Sequence, residues 1–237
     1  MSFIPKQIPE GAIRYNTDSN KMEVWIGEKW MIVGTSSPNL DGGARAFIAG
    51  GAFPSNTDII TAVTISSSGI SEDFGNLTQT VQVAGSASSR TRAVRLGGHT
   101  GSVTDTIDYW TMSSTGNAID FGNLFEKVRS NAACSNQTRA TCFGGLDDPA
   151  LHAEIQFITI ASTGDAIDFG DLTSGVQRTS SVSNKIRGVY AGGVNPSAIN
   201  TIAYVTIAST GNAADFGDLI NTYSSTSAVS DSHGGLG

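Results

Sequence analysis

Apolar and polar residues alternate in short runs along this chain, and no stretch sustains an apolar period of 3.6 residues. Glycines and Ser/Thr/Asn clusters separate the runs. That pattern predicts short β-strands joined by turns, with no helix. In the first 33 residues, Ile13 and Tyr15 alternate with polar neighbours, then Met22, Val24 and Ile26, then Trp30 and Ile32. Turn-like Thr17–Asn20 and Gly27-Glu28 separate them, so residues 1–33 read as a three-stranded β-meander. So small a sheet needs another surface to bury against. Residues 34–43 (GTSSPNLDGG) read as a flexible linker, and 44–237 as a separate region.

That region repeats itself. Asp-Phe-Gly begins at Asp73, Asp120, Asp168 and Asp215, at spacings of 47, 48 and 47. Gly69, Gly116, Gly164 and Gly211 precede them by four residues. An Arg followed five residues later by Gly-Gly recurs at Arg45, Arg92, Arg139 and Arg187, at spacings of 47, 47 and 48. The one-residue insertion therefore falls in Leu146–Glu154. A period of 20–50 residues marks a repeat architecture. Each repeat predicts four strands: the Arg-to-Gly-Gly run, a Thr-Ile run, the Asp-Phe-Gly stretch and a small-residue run. The last of these is Val83–Ser88, Ser130–Ser135, Thr179–Ser183 and Thr226–Ser230.

The second strand is apolar on both sides, with Ile107 and Tyr109 on one and Trp110 and Met112 on the other. A sheet of this kind must be covered on both faces, as in radially stacked blades. The small-residue strands suit a narrow axis. The final repeat lacks an Arg-to-Gly-Gly strand after Thr226–Ser230, and the first has one to spare at Arg45–Gly51. The fold expected is all-β: a four-bladed β-propeller closed by its N-terminal strand, which removes exposed sheet edges. An open β-solenoid of four coils is the other arrangement the period allows.

Composition agrees and excludes several classes. Glycine, at 28 of 237 residues, is about 12 % against a usual ~7 %. Charged residues are 15 % and the net charge is −7. An acidic chain without a Lys/Arg cluster is not expected to bind nucleic acid. The apolar runs are too short for a membrane helix. The opening residues carry no apolar core with a cleavage site, so no signal peptide is expected.

Chemistry is sparse. Asp-Phe-Gly also occurs in protein kinases, but no Gly-rich phosphate loop, strand Lys or catalytic-loop Asp accompanies it. Phe74, Phe121, Phe169 and Phe216 are instead expected to anchor the core. The Asp residues are expected to bond turn N–H groups or the recurring Arg. Arg45, Arg92, Arg139 and Arg187 read as structural Arg–Asp or Arg–carbonyl bonds inside each repeat, or else as a ring that binds an anion. His99, His152 and His233 have no metal-ligand spacing and read as surface residues. Asp147-Asp148 reads as a solvated turn. Cys134 and Cys142 flank a turn and are expected to be free, buried thiols. No nucleophile elbow or zinc-protease stretch occurs, and no enzyme activity, cofactor or metal is expected. A paired-carboxylate glycosidase, its partners distant in sequence, is the enzymatic alternative.

Two resemblances add to this. The ~47-residue repeat with a strand ending in Gly-Gly resembles kelch-type propeller blades, although Asp-Phe-Gly-Asn/Asp-Leu is not a kelch element. The version ITIASTGDAIDFGDL resembles repeats of phage, especially cyanophage, virion and tail proteins. The segment GAIRYNTD…EVWIGEKW resembles one that recurs in phage tail-fibre and other virion proteins. These resemblances imply a virion structural protein: a tail fibre, a tail or neck appendage, or a capsid decoration. It would be made in the host cytoplasm and docked on other virion proteins. Ile13, Tyr15, Met22, Trp25, Trp30 and Met31 are the expected docking or oligomerisation residues, and a homo-oligomer is expected. The alternative is a receptor-binding adhesin that contacts host glycan or protein through the loops Ala52–Asp58, His99–Thr106, Leu146–Glu154 and Val194–Thr201.

Overall fold

The structure, a computed structural model, describes residues 8–17, 21–33, 45–65 and 69–230. Two compact units make up the chain, residues 1–40 and 41–237. Among the described residues there is no helix, and 18 strands form five antiparallel sheets.

The first unit is a meander of β1 (Ile13–Asn16), β2 (Lys21–Trp25) and β3 (Trp30–Ile32). Its register places Ile13 opposite Val24 and Val24 opposite Met31, with Arg14 opposite Glu23 and Trp25 opposite Trp30.

The second unit holds four sheets, one per repeat. Sheet I contains β4 (Arg45–Ala49), β5 (Ile59–Thr64) and β6 (Glu72–Asn76). Sheet II contains β7 (Gly85–Ser88), β8 (Arg92–His99), β9 (Val103–Thr111) and β10 (Ile119–Asn123). Sheet III contains β11 (Ala132–Ser135), β12 (Arg139–Asp147), β13 (Ala150–Thr159) and β14 (Ile167–Asp171). Sheet IV contains β15 (Ser180–Ser183), β16 (Arg187–Ala191), β17 (Ile199–Thr206) and β18 (Ala214–Tyr223). The small-residue strand pairs with the following Arg-to-Gly-Gly strand, as β7 does with β8. The inserted residue falls in the β12–β13 hairpin, where Asp147 pairs with Ala150.

One expected strand does not form. Thr226–Ser230 makes no ladder, so sheet I has three strands and the outer edge of β4 is unpaired among the described residues. The segment lies beside β15 instead: Ser225 N–H donates to the Arg178 carbonyl, and the Ser180 and Thr226 hydroxyls lie 2.8 Å apart. Val229 in this segment is 94 % exposed.

The core lies between the sheets. Val94, Leu96, Ile107 and Phe121 of sheet II pack with Ala140, Cys142 and Ile158 of sheet III. The Asp-Phe-Gly glycines lie at positive φ beside a register shift. A Cβ on Gly122 would stand 2.6 Å from the Gly164 carbonyl of the next sheet, and one on Gly170 equally close to Gly211. Only glycine permits that approach.

Candidate interaction surfaces

The recurring arginine joins neighbouring sheets. Arg92 Nη1 donates to the Ile160 and Ala161 carbonyls at 3.0 and 2.9 Å, and Arg139 Nη1 to the Ile207 carbonyl at 3.1 Å. Arg45 reaches the Met112 carbonyl in the same way. Each bond crosses to the next repeat, which corrects the expectation of a bond inside one repeat. The contact runs between repeats because each guanidinium lies over an aromatic ring of its own sheet, Arg92 on Tyr109 and Arg139 on Phe157, and extends beyond it. In sheet I the aromatic has moved across the strand pair. Phe47 faces Ala62 where sheet II has Val94 facing Tyr109, and Arg45 lies over Phe47.

Backbone bonds complete the joint. Gly116 N–H donates to the Phe74 carbonyl, Gly164 N–H to Phe121 and Gly211 N–H to Phe169, at 2.6–2.9 Å. Phe74, Phe121 and Phe169 are buried as anchors, each edge-on to a neighbouring ring. Phe216 departs from the expectation at 56 % exposed, because no further sheet covers sheet IV among the described residues. The Asp carboxylates of Asp120, Asp168 and Asp215 accept from the glycine N–H two residues on, at 2.9–3.2 Å. They hold a local turn rather than the arginine.

Four inner segments, one per repeat, line a single cavity of about 250 Å³: Ser86–Ser88, Ala133–Ser135, Ser181–Ser183 and Ala228–Ser230. Hydroxyls bridge successive segments, Ser135 Oγ donating to the Ser88 carbonyl and Ser183 Oγ to the Ser135 carbonyl, both at 2.7 Å. At one end Val83, Ser130, Arg178 and Ser225 share a left-handed conformation, with φ of 49–55°. A second cavity, of about 410 Å³, adjoins the unpaired edge of β4 and includes Phe47, Trp110 and Arg95 in its wall. Trp110 Nε1–H is buried there without a hydrogen-bond partner among the described residues.

In the first unit the register divides the six expected docking residues between two faces. Ile13, Tyr15, Met22 and Met31 share one face with Val24 and Val33, and those four are exposed. Trp25 and Trp30 lie on the other face, with ring centroids 5.4 Å apart. There Arg14 covers the Trp30 ring at 4.1 Å and pairs with Glu23. Hydrogen bonds from Asn16, then from Arg14, together with the Arg14 charge, hold the Glu23 carboxyl below its ordinary pKa. The two tryptophans are therefore engaged with their own sheet, and the other four are exposed on the opposite face.

The remaining candidates are local. Asp148 lies in a turn before Pro149 and is exposed, as expected of a solvated turn, and Asp148 and Asp147 pair there with Arg129 and Lys127. His152 is half-buried beside Glu154 at 3.1 Å, not a free surface residue, and His99 is also half-buried. His233 lies outside the described residues. Cys134 and Cys142 are free and buried. Cys134 faces Thr141, and Cys142 faces Ala133. Burial pushes their thiols up to about 11 and about 12.

The sequence reading missed the buried Arg95–Asp108 pair, in which Arg95 also donates to the Gly97 and Thr106 carbonyls. Its signal was a charge at two columns where the other repeats have uncharged residues. Among the described residues no three His, Cys, Asp or Glu side chains gather as a metal site. Comparison with protein-family models and with curated proteins found no match.

Proposed function

We propose that this chain is a phage virion structural protein, attached through its first unit and carrying a four-bladed, kelch-like propeller. The observation that carries the attachment reading is the exposure of Ile13, Met22 and Met31, with Tyr15 beside them, on one face of a sheet too small to supply its own second layer. The resemblance of this segment and of the repeats to phage proteins points to a virion as the setting. Other virion proteins and further copies of the chain are the expected partners.

In the propeller reading, Thr226–Ser230 completes sheet I along β4. The register of β7–β8 and β15–β16, carried over by the repeat, sets Ser227 opposite Ala49, Ala228 opposite Ile48, Val229 opposite Phe47 and Ser230 opposite Ala46. Support comes from the cavity beside β4 and from exposed Ile48, whose counterparts Arg95, Cys142 and Tyr190 are buried. The adhesin reading has one favouring observation, the almost fully exposed Phe53 in the loop after β4.

The test replaces Ile13, Tyr15 and Met31 by Ser in the full chain. Loss of incorporation into particles, or of self-association in solution, is expected. Unchanged incorporation with a monomeric parent overturns the attachment reading.

A further inference from the structure

The chain builds the same joint three times, from sheet I to II, II to III and III to IV. Each time an Arg and a glycine N–H bind carbonyls across the gap. Two halves of a fourth joint are left over. On sheet IV, Arg187 lies over Tyr204 but is exposed, and its guanidinium has no acceptor among the described residues. On sheet I, the repeat places the Ile65 carbonyl where Met112, Ile160 and Ile207 supply theirs. The Ile65 side chain is exposed, whereas Ile160 and Ile207 are buried. A cavity of about 280 Å³ at sheet I has Arg45, Val63, Gly69 and Ile70 in its wall.

Both leftover halves depart from the other three joints in the same direction. In the made joints the residue after the glycine is Asn117, Asp165 or Asn212. Its side-chain oxygen accepts the N–H of Asn76, Asn123 or Asp171 at 2.9–3.1 Å. In sheet I that position is Ile70, 92 % exposed. On sheet IV, Ile220 stands where the other repeats have Thr78, Phe125 and Thr173, and it is 97 % exposed. Two isoleucines, one per face, thus stand where the internal joints are mostly polar.

We propose that these two faces are halves of one interface, closed within a single chain, in which apolar contact at Ile70 replaces the side-chain-to-backbone hydrogen bond of the other joints. The proposal rests on the propeller reading above. Four inner segments, one per repeat, line one common cavity, and sheet I of the same chain is on that account the mate expected for sheet IV. At this joint the Asp218 N–H of sheet IV, the counterpart of the Asn76, Asn123 and Asp171 donors, meets Ile70 in place of a side-chain acceptor.

Two cysteine pairs in the full chain test this. Ile70→Cys with Asp218→Cys probes the face joint, at positions whose counterparts are hydrogen-bonded across the other joints. Ile48→Cys with Ala228→Cys probes the strand pairing of the propeller reading. Buried Cys134 and Cys142 stay silent under mild oxidation. The expected result is loss of both introduced thiols in each variant, at monomer mobility on a non-reducing gel. Linkage at 70/218 within the monomer upholds the proposal, and without linkage at 48/228 it removes only the strand pairing. Linkage at 70/218 solely between chains overturns the proposal, as does linkage at 48/228 alone. Failure at both pairs overturns the propeller reading with it. Should the 70/218 variant not fold, Arg187→Ala reads the same joint: a fall in Tm matching that of Arg139→Ala upholds it, and an unchanged Tm overturns it.

Discussion

Truncating the four repeated phenylalanines measures how completely each face is covered in solution. Phe121 is 3 % exposed and packs edge-on against Tyr109 with ring centroids 5.7 Å apart. A buried Phe removes about 200 Å² from water, worth about 5 kcal/mol at ~25 cal/mol/Å². A compact unfolded state lowers this, so Phe121→Ala is expected to cost about 3–5 kcal/mol, as are Phe74→Ala and Phe169→Ala. Phe216 is 56 % exposed with sheet IV uncovered. The remaining 44 % (100 − 56) corresponds to about 90 Å² and about 2 kcal/mol on the same scale. Docking of sheet IV on sheet I brings Phe216→Ala up to the cost of the other three, and that is the expected outcome. The assay is equilibrium urea unfolding of the four single variants, comparing midpoints at constant m-value. A cost near 2 kcal/mol at Phe216 alone refutes closure. A cost below about 1 kcal/mol at Phe121 refutes the reading of these rings as anchors.

Arg139→Ala removes a charged hydrogen bond to Ile207 and the contact with Phe157. It should cost about 2–3 kcal/mol in the same assay, and a loss under about 0.5 kcal/mol contradicts the inter-sheet role. Neither Cys134 nor Cys142, with thiols raised to about 11 and about 12, should react with a disulfide reagent at pH 8 until the chain unfolds; prompt labelling of the native protein refutes their burial. Glu23 has a folded pKa below its ordinary 4.5, so its contribution to the first unit is present above that value and fades as pH falls through the lowered one. In a Trp110→Phe background, fluorescence of Trp25 and Trp30 should titrate with a midpoint below 4.5, and a midpoint at or above 4.5 overturns the assignment.

Much of this fold was legible because repetition multiplies weak signals. One Arg-to-Gly-Gly run is unremarked, whereas four at a fixed spacing place β4, β8, β12 and β16. Strand order within each sheet followed, since neighbouring strands are joined by short turns. Contacts between sheets were not legible. The spacing says that each arginine recurs, but not that its guanidinium extends past an aromatic ring to a carbonyl some 68 residues away. The swap of Phe47 and Ala62 hid the ring in sheet I from a column-by-column reading. In the first unit, composition pooled six apolar residues as one patch. Only the register of β1, β2 and β3 separated Trp25 and Trp30 from the other four. Phe216 misled because a repeated residue shares its neighbours within a sheet, while its cover belongs to the next sheet.

The arginine that crosses each gap has a consequence for how the array melts. Repeat proteins often unravel from an end, since each unit depends chiefly on its own bonds and its nearest neighbour. Here the hydrogen bonds of Arg92 and Arg139 end on carbonyls of the following repeat, so losing one repeat strips acceptors from the one before it. Such dependence penalises partly frayed forms. The second unit should therefore unfold in one calorimetric step, with van't Hoff and calorimetric enthalpies in agreement, and excising one 47-residue period should disable the remaining three.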